Sequence, residues 1–331
     1  MFQEREILDP EKQEVESFNQ EDTLRPKNFS EFVGQKNIVK NVEIMVESSK
    51  LRNVAADHML LSGPPGLGKT SLAHLIAKEI GSNLHVISGP AIEKKGDLAA
   101  ILTNMQPKDV LFIDEIHRMH ITIEEILYSA MEDFRLDLVI GQGPSARTMQ
   151  IDISPFTLIG ATTRSGLLSR PLRDRFLASF HYDFYENSEL SRIIMANTKK
   201  LKFEMTDQAS SLISKCSRGT PRISNRILRR VRDFSIVDRK ATITEAEVIK
   251  SLSLMEIDSI GLDRMDRKIL TVINDFYGGG PVGIESLCAT LNEDRGTLED
   301  VYEPFLLKIG FLRRTPRGRE ITKAAMDHIA N

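Results

Sequence analysis

Short apolar runs and longer amphipathic stretches alternate through the first half of the chain. The segments "HMLLSG" (58–63), "LHVISG" (84–89), "VLFIDE" (110–115) and "FTLIGATT" (156–163) are short apolar runs, each closed by Gly, Ser, Thr or an acid, which predicts buried strands. Helical stretches separate them, as in "SLAHLIAKEIG", so the pattern predicts an α/β unit: a parallel sheet covered by helices. Ligands of such open sheets bind at the carboxyl ends of the strands. Between the third and fourth runs, Leu136, Leu138 and Ile140 alternate before a Gly-rich turn, and Met149, Ile151 and Ile153 alternate after it; the stretch 135–153 predicts a β-hairpin.

From residue 186 to 256 the period becomes helical. "SELSRIIMANTKKL", "DQASSLISKCS" and "SNRILRRVRDFSIV" place apolar residues three and four apart, which predicts a small all-helical domain. A third unit, 259–331, reads as helix, helix, helix and hairpin, with Thr-Pro-Arg-Gly as the turn between two short strands, as in the wing of a winged helix. The expected organisation is a tail (1–22), a large domain (23–185), a small helical domain (186–256) and a head (259–331).

Composition changes this picture little. The chain has 331 residues, 41% apolar and 27% charged, with two distant cysteines (Cys216, Cys288) in no metal-ligand or redox spacing; this suits a cytoplasmic setting. No apolar run is long enough to span a bilayer and none near the start resembles a signal peptide, so no membrane role is expected. Charge matters more. Residues 1–22 carry eight acids against Arg5 and Lys12, a net of −6, so the other 309 residues sum to +3 although the whole chain is −3. The tail reads as a solvated acidic segment. At the other end, "RRTPRGRE" (313–320) crowds four arginines into eight positions.

The sharpest chemical signal is "GPPGLGKT" (63–70), which follows a predicted strand and opens a helical run. Its glycines let backbone N–H groups wrap phosphates at a helix N-terminus. Lys69 would supply charge to the β- and γ-phosphates and Thr70 a hydroxyl to Mg²⁺. Asp114, at the end of "VLFID", would hold the metal, and Glu115 would polarise the attacking water. A lone acid pair after a strand is weak evidence, but behind this loop it points to ATP and Mg²⁺ as cofactors. His117, in "DEIH", reads more readily as structural. "LRDRF" (172–176) and "RGTPRISNR" (218–226) offer arginines for the transition state; singly, each also reads as a solvated face.

The order of these motifs resembles the AAA+ ATPases. "DHMLLSGPPGLGKTSLAH", "SGPAIEKKGDLAAILTN", "DVLFIDEIHRM", "AMEDF", "FTLIGATTRSGLLSRPLRDRF", "RGTPRISNRILRRVRDF" and "GFLRRTPRGR" narrow the resemblance to the bacterial motors that migrate Holliday junctions, from Leu24 to Ile321. The resemblance implies that Lys69, Thr70 and Asp114 bind nucleotide and Mg²⁺, Glu115 activates water, and Thr163 senses the γ-phosphate. It further implies that Arg175 is an arginine finger reaching a neighbour's ATP in a homo-oligomeric ring, a hexamer in the family, and that Arg222 senses nucleotide from the small domain. Leu24, Arg25, Gly66, Ser71, Glu132, Asp133, Phe134 and Tyr185 fall where the family lines its nucleotide pocket. The hairpin at 135–153 matches the insertion that contacts the junction-binding tetramer RuvA, and Arg295, Arg314 and Arg319 match DNA-contacting positions, with Arg313 and Arg317 expected to point the other way. The implied activity is ATP-driven branch migration on four-way junction and duplex DNA. A non-translocating switch such as a clamp loader or replication initiator is the alternative, and a winged-helix regulator with a degenerate nucleotide fold a further one. Two departures from the family stand out. Leu177 replaces the glycine that commonly follows "LRDRF", which puts the loop after the finger in question, and Arg170 beside Pro171 is atypical.

Overall fold

The computed structural model of the chain describes residues 23–140 and 147–330. The acidic tail and the hairpin tip at 141–146 lie outside the described residues.

All four apolar runs are strands: β1 (Met59–Ser62), β2 (Leu84–Ser88), β3 (Val110–Asp114) and β6 (Thr157–Thr162). They form a parallel sheet in the order β2-β3-β6-β1-β7, the last being β7 (Ala178–His181). Because successive strand residues face opposite sides, the sheet feeds two cores. Leu60, Leu111, Ile113 and Leu158 face α3 (Lys95–Asn104) and α4 (Ile121–Asp133). Met59, Leu61, Val110, Phe112, Ile159 and Ala161 face α1 (Lys36–Arg52) and α2 (Lys69–Ile80). Both faces of β1, β3 and β6 are covered, which is why their apolar residues run nearly without a break, whereas β2 at the sheet edge is half buried. Strand β7 carries a weaker signal: it pairs only with β1 at the sheet edge and alternates half-buried with exposed residues.

The hairpin forms as β4 (Arg135–Ile140) and β5 (Arg147–Asp152), antiparallel, with Leu136 opposite Ile151 and Leu138 opposite Met149. Its base is part of the domain core, since Leu136 and Ile153 are buried there, whereas Met149 is exposed.

Helices α6 (Asn187–Lys200), α7 (Asp207–Lys215), α8 (Pro221–Val237) and α9 (Glu245–Leu254) pack around Ile194, Ile213, Leu228 and Val248. Two-residue strands β8 (Glu204–Met205) and β9 (Thr242–Ile243), too short to show a period, pair parallel within this unit. The third unit contains α10 (Arg264–Tyr277), α11 (Ile284–Leu291), a helical turn α12 (Arg295–Thr297), a π-helical segment (Leu298–Tyr302), α13 (Glu303–Lys308), and a wing of β10 (Leu312–Thr315) and β11 (Gly318–Ile321). A closing helix, α14 (Lys323–Ile329), which the expected helix, helix, helix, hairpin order lacks, buries Ala325 in the same core.

Arg218 clamps the small helical unit to the third. Its Nε donates to the Gly261 carbonyl at 2.8 Å, and its Nη2 lies 2.8 Å from Asp263 and 2.6 Å from Asp266. Burial pushes the Asp266 carboxyl up to about 7 against the pull of Arg218. Asp263 is also penalised by burial, but Arg218 and the N–H groups of Asp266 and Met265 outweigh that and hold it low. Removing one partner of a buried pair strands the other charge, so Arg218→Ala is expected to destabilise the chain by about 3–5 kcal/mol. Denaturant unfolding measures this directly, and a midpoint unchanged from wild type would show the clamp to be dispensable.

Candidate functional site

Strand order decides what meets at the carboxyl edge. The phosphate loop leaves β1, the acid pair leaves β3, and β6 lies between them, so Thr163 emerges between the loop and Asp114.

The loop closes on Gly68, whose φ of 97° starts α2. Lys69 is buried, with its ammonium donating to the Gly63 and Pro64 carbonyls, each at 2.8 Å. Burial brings its pKa down to about 8, with Arg222 adding to the fall and Asp114 and Glu115 opposing it. Thr70 and Ser71 follow in the first turn of α2. Asp114 Oδ1 accepts the Glu115 N–H at 3.0 Å. Glu115 sits in the left-handed region at φ 52°, uncommon for a residue with a Cβ. Its carbonyl lies against Gly89, where an added Cβ would stand 2.6 Å from that oxygen.

The small unit caps this edge. The Arg222 N–H donates to the Gly66 carbonyl at 3.3 Å, and a Cβ on Gly66 would stand 2.8 Å from the Arg222 Cβ, so a larger residue there would push α8 off the loop. Tyr185, buried, donates its hydroxyl to the Leu67 carbonyl at 3.1 Å, and its N–H to the Gly219 carbonyl; burial raises its pKa well above the usual value. Leu24 is buried nearby, and the Leu24 and Arg25 carbonyls accept the Lys200 ammonium of α6. Arg25 Nη1 lies 2.7 Å from His74 Nε2 on α2; since guanidinium only donates, His74 accepts through that nitrogen.

A nucleotide and Mg²⁺ fit these residues. The Thr163 hydroxyl oxygen is buried at this edge with no hydrogen-bond partner, an arrangement costly unless a ligand atom completes it. Among the described residues no cluster of three or more acidic, His or Cys side chains forms a ready-made metal cage. Mg²⁺ needs only one or two protein oxygens, because phosphate and water complete its shell.

Arg175 and residues 132–134 gather at a second place. Arg175 follows α5 (Arg170–Asp174); its guanidinium lies 4.6 Å from the Tyr128 ring centroid and donates to Glu132 Oε2 at 2.8 Å and to the Pro171 carbonyl at 2.9 Å. Asp133 pairs with Arg135, and the Phe134 ring packs edge-on against Phe156 and His58. Among the described residues no hydrogen bond or ion pair joins Arg175 or Glu132 to the phosphate loop. Leu177 is not among the residues with positive φ and points into solvent, so its Cβ strains nothing. Arg170 pairs with Asp174 one turn along α5.

On the wing, Arg314 and Arg319 stand opposite one another, and strand alternation aims both at α13 and the π segment. Arg319 Nε donates to Glu303 at 2.7 Å and its Nη2 to Glu299 at 3.0 Å; Arg314 also binds Glu303, which is 1% exposed. Arg295 binds Glu285 and Glu299. Arg319 is only 13% exposed, whereas Arg313 and Arg317 face solvent. Glu299 further accepts from Arg164, whose Nε donates to Asp300 at 2.8 Å, linking the end of β6 to the third unit. Despite burial, Arg319, Arg295 and Arg164 hold Glu299 below the usual carboxylate range. No pattern in the sequence announces that link, because it joins residues 135 and 136 positions apart.

Residues 24–182 match the family model described as the Holliday junction DNA helicase RuvB P-loop domain, 185–258 the RuvB AAA lid domain, and 259–330 the RuvB C-terminal winged helix domain. The chain is 53% identical over 307 residues to the Holliday junction branch migration complex subunit RuvB of Kosmotoga olearia, covering 93% of this chain and 90% of that one. It is 54% identical over 302 residues to the protein of the same name from Myxococcus xanthus, covering 91% and 88%. The solved Thermotoga maritima RuvB Holliday junction branch migration motor superposes with a TM-score of 0.86 at 50% identity, covering 93% of this chain and 98% of that one.

Proposed function

The chain belongs to the RuvB family of Holliday junction branch-migration ATPases, and from that premise we propose that it is an ATP-driven DNA translocase that migrates four-way junctions as a ring, acting with RuvA. The observation that carries this reading is the convergence of Lys69, Asp114, Glu115 and Thr163 at one sheet edge under Arg222, with the Thr163 hydroxyl left for a ligand. Lys69 would exchange its two loop carbonyls for phosphate oxygens, and Thr70 and Asp114 would hold Mg²⁺. The metal supplies charge screening for the transferred phosphoryl group. Glu115 would take the proton of the attacking water. Arg222 would transmit nucleotide occupancy to α8, and Leu24, Arg25, Gly66, Ser71 and Tyr185 would shape the pocket. Arg175, with Glu132 to Phe134 around it, would face the neighbouring subunit's nucleotide in a hexameric ring.

DNA would meet the wing. Arg295, Arg314 and Arg319 each keep a terminal nitrogen outside the bonds to Glu285, Glu299 and Glu303, so those carboxylates fix the guanidinium planes while leaving donors for phosphate. Exposed Arg313 and Arg317 would add to the attracting field. Such contacts read backbone, not bases, which suits a motor that must pass any sequence. Arg314→Ala is expected to flatten the log K against log salt slope for duplex binding by about 1; an unchanged slope would remove Arg314 from the interface. The hairpin, with Met149 exposed beyond a base rooted in the core, would dock RuvA. Among the described residues no helix is long and apolar enough to cross a membrane.

ATP turnover with and without duplex DNA, over rising salt, tests the reading. DNA should stimulate turnover and salt should abolish the stimulation; turnover indifferent to DNA would favour a switch that does not translocate.

A further inference from the structure

His117 lies one residue beyond Ile116 in the 3₁₀ turn that follows β3 and Glu115. Its side chain is 4% exposed, and Nδ1 is 2.9 Å from the Thr162 hydroxyl oxygen at the end of β6. That hydroxyl already accepts the Arg164 N–H at 3.0 Å and is itself buried. A buried hydroxyl proton needs an acceptor, and among the described residues the one in reach is His117 Nδ1. The imidazole proton is therefore on Nε2, which faces Glu115 Oε2 at 3.7 Å. Burial, chiefly, lowers the His117 pKa from the ordinary histidine value, with Arg164 and Arg118 adding to the fall and Glu115 and Asp300 opposing it, which favours the neutral ring and gives its tautomer consequences.

We propose that His117 is a positioning residue for hydrolysis: anchored through Nδ1 on Thr162, it presents Nε2–H to the Glu115 carboxylate and ties that carboxylate to the strand end carrying Thr163. The gap of 3.7 Å is longer than a hydrogen bond, and contacts of this kind tighten when substrate fills a site. Glu115 needs such a hold because its backbone is in an uncommon conformation and, among the described residues, its carboxylate's other ion pair is with the exposed Arg118, at 4.0 Å. Thr162 ends β6 and Thr163 is the next residue beyond it, and their hydroxyls have different partners. One meets His117; the other is left for the phosphate. A shift of this strand end as Thr163 gains or loses a ligand would thus be felt by Glu115 through His117.

The inference rests on Glu115 being the base, and the test separates the two. In the full chain assembled on duplex DNA, His117→Phe keeps the ring and removes both nitrogens; kcat should fall about 10- to 100-fold, the usual cost of losing an orienting partner, with KM and ADP affinity unchanged. His117→Gln, which returns an N–H, should recover part of the loss, and His117→Phe should add nothing in a Glu115→Gln background. Independent of activity, the ¹⁵N spectrum of the His117 imidazole at pH 7 should show a bare Nδ1 and a protonated Nε2. Should His117→Phe not fold, Thr162→Val removes the anchor while keeping the histidine and should lower kcat alone. Wild-type kcat in both variants beside an inactive Glu115→Gln, or a protonated Nδ1, would overturn the positioning role and leave Glu115 as base; an active Glu115→Gln would overturn both.

Discussion

Arg175→Ala is expected to lower ATP turnover by about 10³-fold or more, the scale on which arginine fingers act, without weakening nucleotide binding to the chain that carries the change. The expectation follows from where Arg175 sits. It is held by Tyr128, Glu132 and Pro171 on the face formed by α4 and α5, with no hydrogen bond or ion pair, among the described residues, to its own phosphate loop. In the proposed ring, an arginine so placed would serve another subunit. Mixing Arg175→Ala chains with Glu115→Gln chains tests this without ambiguity. In mixed rings an intact Glu115 on one chain meets an intact Arg175 on the next, so turnover should reappear. If the mixture stays as inactive as its components, Arg175 acts within its own chain.

Glu115→Gln should lower turnover about 10²- to 10⁴-fold, the range for removal of a general base, while ATP is still bound. Gln keeps the shape and one acceptor but takes no proton. Its neighbours favour retention of the fold, because Glu115 is partly exposed and its backbone, not its carboxylate, carries the close contact with Gly89. Turnover within threefold of wild type would remove Glu115 as the base.

The two chemical units, the phosphate loop and the acid pair, were legible because each is a local string attached to a strand with a strong apolar signal. Runs such as "VLFIDE" are continuous because both sheet faces are covered. Strand β7 escaped notice since its four residues, "ASFH", carry only two apolar positions, and β8 and β9 are two residues each. The Arg218 clamp, the Arg164 link to Glu299 and Asp300, and the Thr162–His117 contact depend on residues brought together from distant segments. Single charges and polar groups have no period, so nothing in the chain marks which will pair. The wing shows the boundary between the two cases. Alternation put Arg314 and Arg319 on one face and Arg313 on the other, but that the first pair would meet Glu299 and Glu303 required the packed head.

Motor activity at a junction is the central claim, and a synthetic four-way junction with homologous arms, incubated with the chain, Mg·ATP and RuvA, tests it most directly. The account predicts duplex products that appear with hydrolysable ATP and disappear with Glu115→Gln. Junctions left intact by a chain that hydrolyses ATP and binds DNA would contradict it.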